Sequence, residues 1–503
     1  MTLTEPRVGR VPTIDRVFAG AVDVRSQLVL LANRLPVVKT RAGWRPAPGG
    51  LVAALQPAFE SRSGVWVGWT GHTSGPPRTL PGLGAQLVPV PLSRKDVEGH
   101  YHGFSNSTLW PLFHGLADRV TINGRWWHQY QAVNLRFAER AMAAASPDAV
   151  FWVHDYQLAC VPLMLRTLGA TQPIGFFLHI PFPAQEIFAR LPWRERLLEG
   201  LLGADVVSFQ TEEYRENFLR ACLRLRPDAT ADGAVLRLRD GRRVRTATRP
   251  ISIDAHGLRA EAQSEAVERE LDRLRRQFAG RRVLVGVDRL DYTKGIVERL
   301  RAIELLLEGR RDLRGKIAFV QIAVPSRGDI REYRELRSEV EEMVGRINGR
   351  FTESGEDVPV HYLYRGVSQT RLLAYYRLAD VCLVTSLRDG MNLVAKEFVV
   401  CQGAGRGTGA LVLTEFAGAA EELREALPCN PFDIEGLASV VENALALGED
   451  DRRTRIESMA ERVAEHDVFA WLGDEMDALE PAHTSHGSQE RLGIRTVETL
   501  LSH

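Results

Sequence analysis

Short aliphatic runs alternate with helical stretches along most of this chain, and that alternation limits the possible folds more than any other feature. Leu28-Val29-Leu30-Leu31-Ala32, Val65-Trp66-Val67-Gly68-Trp69 and Gln86-Leu87-Val88-Pro89-Val90 read as strands in the first part. Residues 149–155, 174–179 and 205–210 follow, and a short β segment is expected over 235–246. The second part repeats the pattern with residues 283–287, 316–323, 358–364, 380–386 and 410–416. Near-continuous apolar runs are the mark of strands buried on both faces, and strands alternating with helices imply parallel sheets covered on both sides. At 503 residues the chain exceeds what one core supports. We therefore expect a leader over 1–26, one α/β domain over 27–252 and a second over 253–468. The amphipathic helix carrying Phe469, Trp471, Leu472, Met476 and Leu479 opens a last segment, 469–503, expected to cross back to the first domain before a polar tail. Two such domains facing each other would hold ligands in the cleft between them.

Charge matters here for what it excludes. Lys plus Arg and Asp plus Glu both number 64, so no global field attracts nucleic acid or an anionic membrane, and any anion site must be local. The five cysteines, Cys160, Cys222, Cys382, Cys401 and Cys429, show no C-x-x-C spacing and read as buried thiols in a reducing compartment. The chain start has no basic region leading into a long apolar one, and no apolar run approaches bilayer length. A soluble, cytoplasmic protein is the expectation.

Several strand ends carry chemistry. Val287-Asp288-Arg289-Leu290-Asp291-Tyr292-Thr293-Lys294-Gly295 places two cations at a strand-to-helix junction, where open α/β sheets bind ligands. An ordinary basic turn paired with Asp288 or Asp291 is the alternative. The first strand runs into Asn33-Arg34, and a loop rich in Arg, Gly and Pro closes on Gly49-Gly50-Leu51, with Leu51, Leu55 and Phe59 marking a helix face. This is either a lip over a small ligand or a hairpin-like turn. Between Glu98 and Phe113, Tyr101, His102, Phe104, Asn106 and Trp110 mix stacking and hydrogen-bonding groups, as a core helix or a sugar site would. Asp155 and His179 end neighbouring strands. Arg327 follows another, either as a ligand cation or within a turn where Ser326 and Asp329 open the next helix.

Ser386 to Glu397 is the most informative stretch, because a strand ends, Gly390 frees the backbone and a helix begins near Asn392. Amides at such a helix start bind a diphosphate without side-chain charge. Glu397, one turn in, could accept bonds from ribose hydroxyls. An ordinary helix with a solvated Lys396-Glu397 pair is the alternative. The glycine-rich residues 403–409 follow a helix and precede a strand, the reverse of a dinucleotide fingerprint, and read as a loop.

Five of these segments together resemble the trehalose-6-phosphate synthases, retaining glycosyltransferases of GT-B architecture. They are Trp152-Val153-His154-Asp155-Tyr156, residues 175–183, residues 289–295, Ser326-Arg327-Gly328-Asp329 and residues 387–397. The resemblance, over about residues 28–475, implies an α/β fold of two facing Rossmann-like domains with parallel sheets and a central cleft. It implies that Arg34, Tyr101 and Arg327 hold the phosphate of glucose 6-phosphate, that Asp155 binds acceptor hydroxyls and that Trp110 lines that pocket. Gly50 would belong to a closing loop. Arg289 and Lys294 would meet the donor diphosphate, and His179, Asp389, Met391 and Asn392 the transferred glucose. Leu393 and Val394 would present amides to phosphate, Glu397 would grip the ribose, and Val367 would lie by the base.

The implied catalytic group is Asp155, His179, Arg289, Lys294 and Asp389, with no metal and no cofactor. Residues 362–367 depart from the commonest family pattern, leaving UDP-, GDP- and ADP-glucose open as donors. A homodimer or homotetramer is also implied. Competing readings are a relative that couples a cyclitol or amine, and a silent sugar-phosphate sensor.

Overall fold

A computed structural model describes residues 26–40, 43–46, 64–72, 84–328, 330–352, 357–405 and 407–479. In chain order the first strands are β1 (Ser26–Arg34), β2 (Val37–Thr40), β3 (Gly43–Pro46), β4 (Gly64–Trp69), β5 (Gln86–Pro89) and β6 (Ala145–His154). Next come β7 (Ile174–Leu178), β8 (Val206–Phe209), β9 (Thr230–Asp232), β10 (Val235–Arg237) and β11 (Arg243–Thr248). After two helices the series resumes with β12 (Arg282–Arg289), β13 (Ile317–Val324), β14 (Val360–Leu363), β15 (Val381–Val384), β16 (Ala410–Thr414) and β17 (Leu427–Cys429).

These strands make two large sheets and one hairpin. The first sheet has the order β5-β4-β1-β6-β7-β8-β11-β10-β9 and the second β14-β13-β12-β15-β16-β17. Every pairing in the second sheet is parallel. In the first, only the edge formed by β9, β10 and β11 is antiparallel. All six residues of β4 and all five of β7 are buried, as strands covered on both faces require. The two parallel-sheet lobes face each other, joined by contacts such as Arg388 with Glu213.

Strand order reverses between β1 and β6 in the first sheet and between β12 and β15 in the second. Ligands of open α/β sheets lie outside the carboxyl ends at such reversals. Arg34 ends β1 and Asp155 follows β6, while Arg289 ends β12 and Asp389 follows β15. The topology therefore brings each pair to the carboxyl end of its own sheet.

For the Arg/Gly/Pro-rich loop after β1, the hairpin-like alternative holds over its first part, where β2 pairs antiparallel with β3. Several expectations need correction. The aromatic stretch is a thirteen-residue π-helix, Val97–Leu109, running into a short α-helix at Trp110. Such wide turns are rare and cluster at functional sites. The helix after Arg327 starts at Arg331 with no side-chain cap, so Ser326 does not open it. Strands β9 and β17 were not expected. Leader residues 1–25, Gly49 to Phe59, Asp329 and the tail from residue 480 lie outside the described residues.

The helix Val468–Leu479 packs on the first sheet. Its Trp471 meets Trp152 and Phe177 with ring centroids 5.4 and 5.2 Å apart, and Leu479 fills the space above Gly175. The amide of Val468 donates to the Ile253 carbonyl at 3.0 Å, so the two connections between lobes run side by side. Glu475 is 1% exposed, accepts from the Ser208 hydroxyl at 3.2 Å, and burial lifts its carboxyl to about 7 despite Arg249 nearby.

A carboxyl raised in the folded state binds more protons than in the unfolded chain, so its stabilisation is present at low pH and is lost as pH climbs toward 7. Glu475→Gln should therefore raise the melting temperature at pH 8 by about 2 °C or more and leave it nearly unchanged at pH 5. Equal shifts at both pH values in thermal denaturation would contradict this.

Candidate active site

Arg34 leaves the end of β1 with its guanidinium 4.2 Å from the Trp69 ring centroid and 5.7 Å from that of Tyr101. From the other lobe, Arg327 stacks at 4.1 Å on Trp110 and Arg289 stands 5.7 Å from the same ring. Burial alone would raise the Tyr101 phenol, but Arg327, Arg34 and Arg289 together bring it below its ordinary value. Three cations from two sheets thus act on one hydroxyl.

Asp291 sits beneath this cluster, fully buried. It accepts from Trp110 Nε1 at 3.4 Å, Arg327 at 3.3 Å, the Tyr333 hydroxyl at 3.0 Å and the Thr293 amide at 3.1 Å. Burial would raise its carboxyl, yet Arg327, Arg289, the Thr293 amide and Lys294 hold it at about 2. Arg327 also bonds Tyr156 Oη at 3.2 Å and Tyr333 Oη. The alternative of a solvated basic turn is overturned, because Asp291 serves Arg327 and Asp288 serves the buried Arg299 at 2.7 Å. Arg34 and Arg289 are exposed and have no carboxylate partner among the described residues.

On the second lobe, Lys294 pairs with Asp389 at 2.6 Å, and Asp389 also accepts from Ser386 Oγ at 3.2 Å and Asn392 Nδ2 at 3.1 Å. Burial would raise Asp389, but Lys294, with smaller help from His114 and Asn392, keeps the carboxyl below its usual range. The Lys294 loop is fixed from behind. Arg299 reaches Thr385 Oγ1 at 3.0 Å, and that hydroxyl donates to the Gly295 carbonyl at 3.1 Å. Gly295 has φ 62°, and a side chain there would strike the Thr385 carbonyl.

Asn392 caps the helix Leu393–Gly403 by accepting from the Ala395 amide at 3.2 Å. The Leu393 and Val394 amides, in the first turn, have no partner of the i to i−4 kind within the helix and lie at its positive end. Glu397 accepts from Tyr376 Oη at 3.0 Å, and burial lifts its carboxyl to about 7. Lys396 does not join a solvated pair with Glu397. It is buried and bonded to Glu422 at 2.8 Å and to the Ile251 carbonyl at 2.9 Å.

The lobes touch where His179 meets Gly390. A Cβ on Gly390 would collide with the His179 carbonyl oxygen, so only glycine permits this approach. Tyr214 Oη donates to the Asp389 carbonyl at 3.0 Å, and Arg388 pairs with Glu213 at 2.8 Å. Met391 is buried and its carbonyl accepts from the Ala419 amide at 2.8 Å. Val367 follows β14, the edge strand of its sheet, and is half-buried there. Gly50 lies outside the described residues.

Backbone strain marks the same region. Among the described residues, the non-glycine positions with positive φ are Asp155 (73°), Arg327 (47°) and Asn392 (81°), all in this cleft. With ψ at 166°, Asp155 occupies a region that glycine alone tolerates easily. Burial raises its carboxyl to about 7, against the opposing Tyr156 and His179 amides and Arg289 and Arg327. Asp155→Gly should raise stability by about 1 kcal/mol and lower turnover at least about tenfold. Loss of both stability and turnover in paired melting and rate measurements would show that the strain is not stored there.

Sequence reasoning missed Asp291, Tyr156, Tyr333, Trp69 and His114. His114 packs tilted against Trp110, ring centroids 4.1 Å apart, and its ring nitrogen contacts the Trp110 carbonyl at 2.7 Å. Asp291 stood in plain view beside Arg289. The others gave no signal, since what makes them relevant is a partner distant in sequence.

Two facing parallel-sheet lobes, with cations and a helix start converging between them, define a GT-B glycosyltransferase. The chain belongs to glycosyltransferase family 20, whose model matches residues 22–481. It is 45% identical over 468 residues to a trehalose-6-phosphate synthase of Mycobacterium sp. (strain KMS), covering 90% of this chain and 95% of that one. It also matches the solved α,α-trehalose-phosphate synthase (UDP-forming) of Burkholderia xenovorans in complex with glucose-6-phosphate, with TM-score 0.83, 36% identity and coverage of 90% and 100%. The E. coli protein solved with UDP-2-fluoro glucose matches with TM-score 0.84, 35% identity and coverage of 90% and 99%.

Proposed function

We propose that this chain moves glucose from a nucleotide diphosphate glucose to glucose 6-phosphate with retention at the anomeric carbon, giving α,α-trehalose 6-phosphate and a nucleoside diphosphate. The observation that carries this reading is the meeting of Arg34 from the first sheet with Arg289, Lys294 and Arg327 from the second across one cleft. Two anionic substrates need such a distribution. Arg34, Tyr101 and Arg327 take the acceptor's phosphate, and Asp155 its hydroxyls. Arg289 and Lys294, with the Leu393 and Val394 amides, take the donor's diphosphate.

As the bond from the anomeric carbon to the diphosphate breaks, negative charge grows on the departing oxygen. Fixed cations and amides there stabilise the transition state more than the ground state. The acceptor hydroxyl attacks from the same face and its proton passes to that oxygen, so no pair of carboxylates is needed, unlike in glycoside hydrolysis. Lys294 is paired with Asp389, so donor binding must share or replace that contact. On this reading the reaction uses no metal, and chelator leaves the rate unchanged.

The UDP-forming relative supports a uridine donor, with GDP- and ADP-glucose as the other candidates. Assembly as a homodimer or homotetramer is measurable by light scattering. Five buried free thiols fit a reducing cytoplasm. Among the described residues no helix is long and apolar enough to cross a membrane. Incubation with glucose 6-phosphate and each nucleotide glucose in turn, with both products identified, tests the reading. No disaccharide phosphate from any donor would refute it.

A further inference from the structure

His154 lies directly behind His179 and touches no part of the open cleft. It is 0% exposed, and its Nδ1 stands 3.0 Å from His179 Nε2, with the two rings stacked at 19°. We propose that His154 is a positioning residue that fixes the tautomer of His179, so that His179 presents Nδ1–H as a hydrogen-bond donor to an oxygen of the transferred glucose. This rests on the reading that His179 contacts that sugar.

Burial drives both imidazoles toward their neutral forms, His179 down to about 3 and His154 well below its ordinary value. Each ring then carries one proton, and a contact at 3.0 Å requires one nitrogen to donate and the other to accept. Two arrangements satisfy this. Either His154 donates from Nδ1, leaving its Nε2 bare and obliging His179 to carry its proton on Nδ1, or both protons sit on Nε2.

The surroundings of His154 decide between them. Its Nε2 is buried without a partner, and so are the indole N–H groups of Trp152 and Trp471. The Trp152 ring centroid is 4.3 Å from that of His154, and Trp471 packs on Trp152. A further unpartnered buried N–H here, beside those of Trp152 and Trp471, would be the worse choice, because orphaned buried N–H groups are rarer and costlier than bare acceptors. A lone pair on Nε2 suits it. The proton therefore belongs on His154 Nδ1 and, across the contact, on His179 Nδ1.

His179 itself is only half-buried, and its Nδ1 is not among the buried polar atoms lacking a partner. On the proposed reading that nitrogen serves the cleft, and the His179 carbonyl lies at the Gly390 contact that joins the lobes. A sugar oxygen that gains a donor held from behind by a second ring is oriented without reorganisation during the reaction.

Two variants separate positioning from packing. His154→Leu keeps bulk but has no nitrogen, and should lower kcat by roughly 10- to 100-fold while the KM for glucose 6-phosphate moves less than about threefold. His154→Asn places an amide N–H where Nδ1 stands, and should recover the rate to within about fivefold of the parent. Equal losses in both variants, or no loss in His154→Leu, would overturn the proposal. Nitrogen-15 spectra of histidine-labelled protein, with signals assigned by their loss in His179→Gln, should show His179 protonated on Nδ1 in the parent and a mixture of tautomers in His154→Leu. Protonation of His179 on Nε2 in the parent would also overturn it. The spectra need no turnover, so they judge the ring pair even if the assigned reaction is wrong.

Discussion

Arg289→Ala loses about a thousandfold in turnover and keeps its melting temperature within about 2 °C of the parent. The large kinetic effect follows from where charge appears. Removing one fixed group that faces a developing negative charge costs about 2.7–4 kcal/mol of transition-state stabilisation. The small structural effect follows from the exposure of Arg289 and from its having no carboxylate partner among the described residues. The buried Asp291, which Arg289 also acts on, keeps Arg327, Lys294 and the Thr293 amide when it goes. Lys294 offers no such clean test, since its removal would leave the half-buried Asp389 carboxylate without its cation. Initial rates at saturating glucose 6-phosphate, with a melt of the same sample, check the prediction. A rate within fivefold of the parent would remove Arg289 from the chemistry.

Arg327→Ala should fail differently, on the acceptor side and in stability together. We expect the KM for glucose 6-phosphate to rise about a hundredfold, from loss of a charge-assisted contact to phosphate. Stability should drop by about 3 kcal/mol, because Asp291 is fully buried and Arg327 is its direct ion-pair partner. The double variant Arg327→Ala/Asp291→Asn removes the orphaned charge, so it should regain most of the stability and none of the acceptor affinity. Recovery of both would mean that Arg327 acts only by neutralising Asp291.

Strand ends were legible in this sequence because parallel strands buried on both faces are almost unbroken apolar runs, so the residue after each run is conspicuous. Val283 to Val287 and Ile174 to Leu178 announce Arg289 and His179 in this way. The helix start at Asn392 was legible too, from a cap residue following a glycine. Partnerships were not. Asp291 looked like the mate of a nearby surface cation, and only the tertiary structure brings Arg327, Tyr333 and Trp110 onto it. The π-helix was also hidden, since apolar periodicity distinguishes helix from strand and not a wide helix from an ordinary one. Strain at Asp155 leaves no trace in residue type, because aspartate gives no hint of a φ of 73°. The short β17, with a proline inside it, falls below what composition can reveal.

The helix that closes on the first sheet makes the lobes topologically mutual. Each borrows or lends chain, so neither is a module that could be excised, swapped into another scaffold or expressed by itself without an open seam at Trp152, Phe177 and Gly175. Any rotation of one lobe against the other would have to turn about two adjacent tethers near Ile253 and Val468, which are hydrogen-bonded to each other.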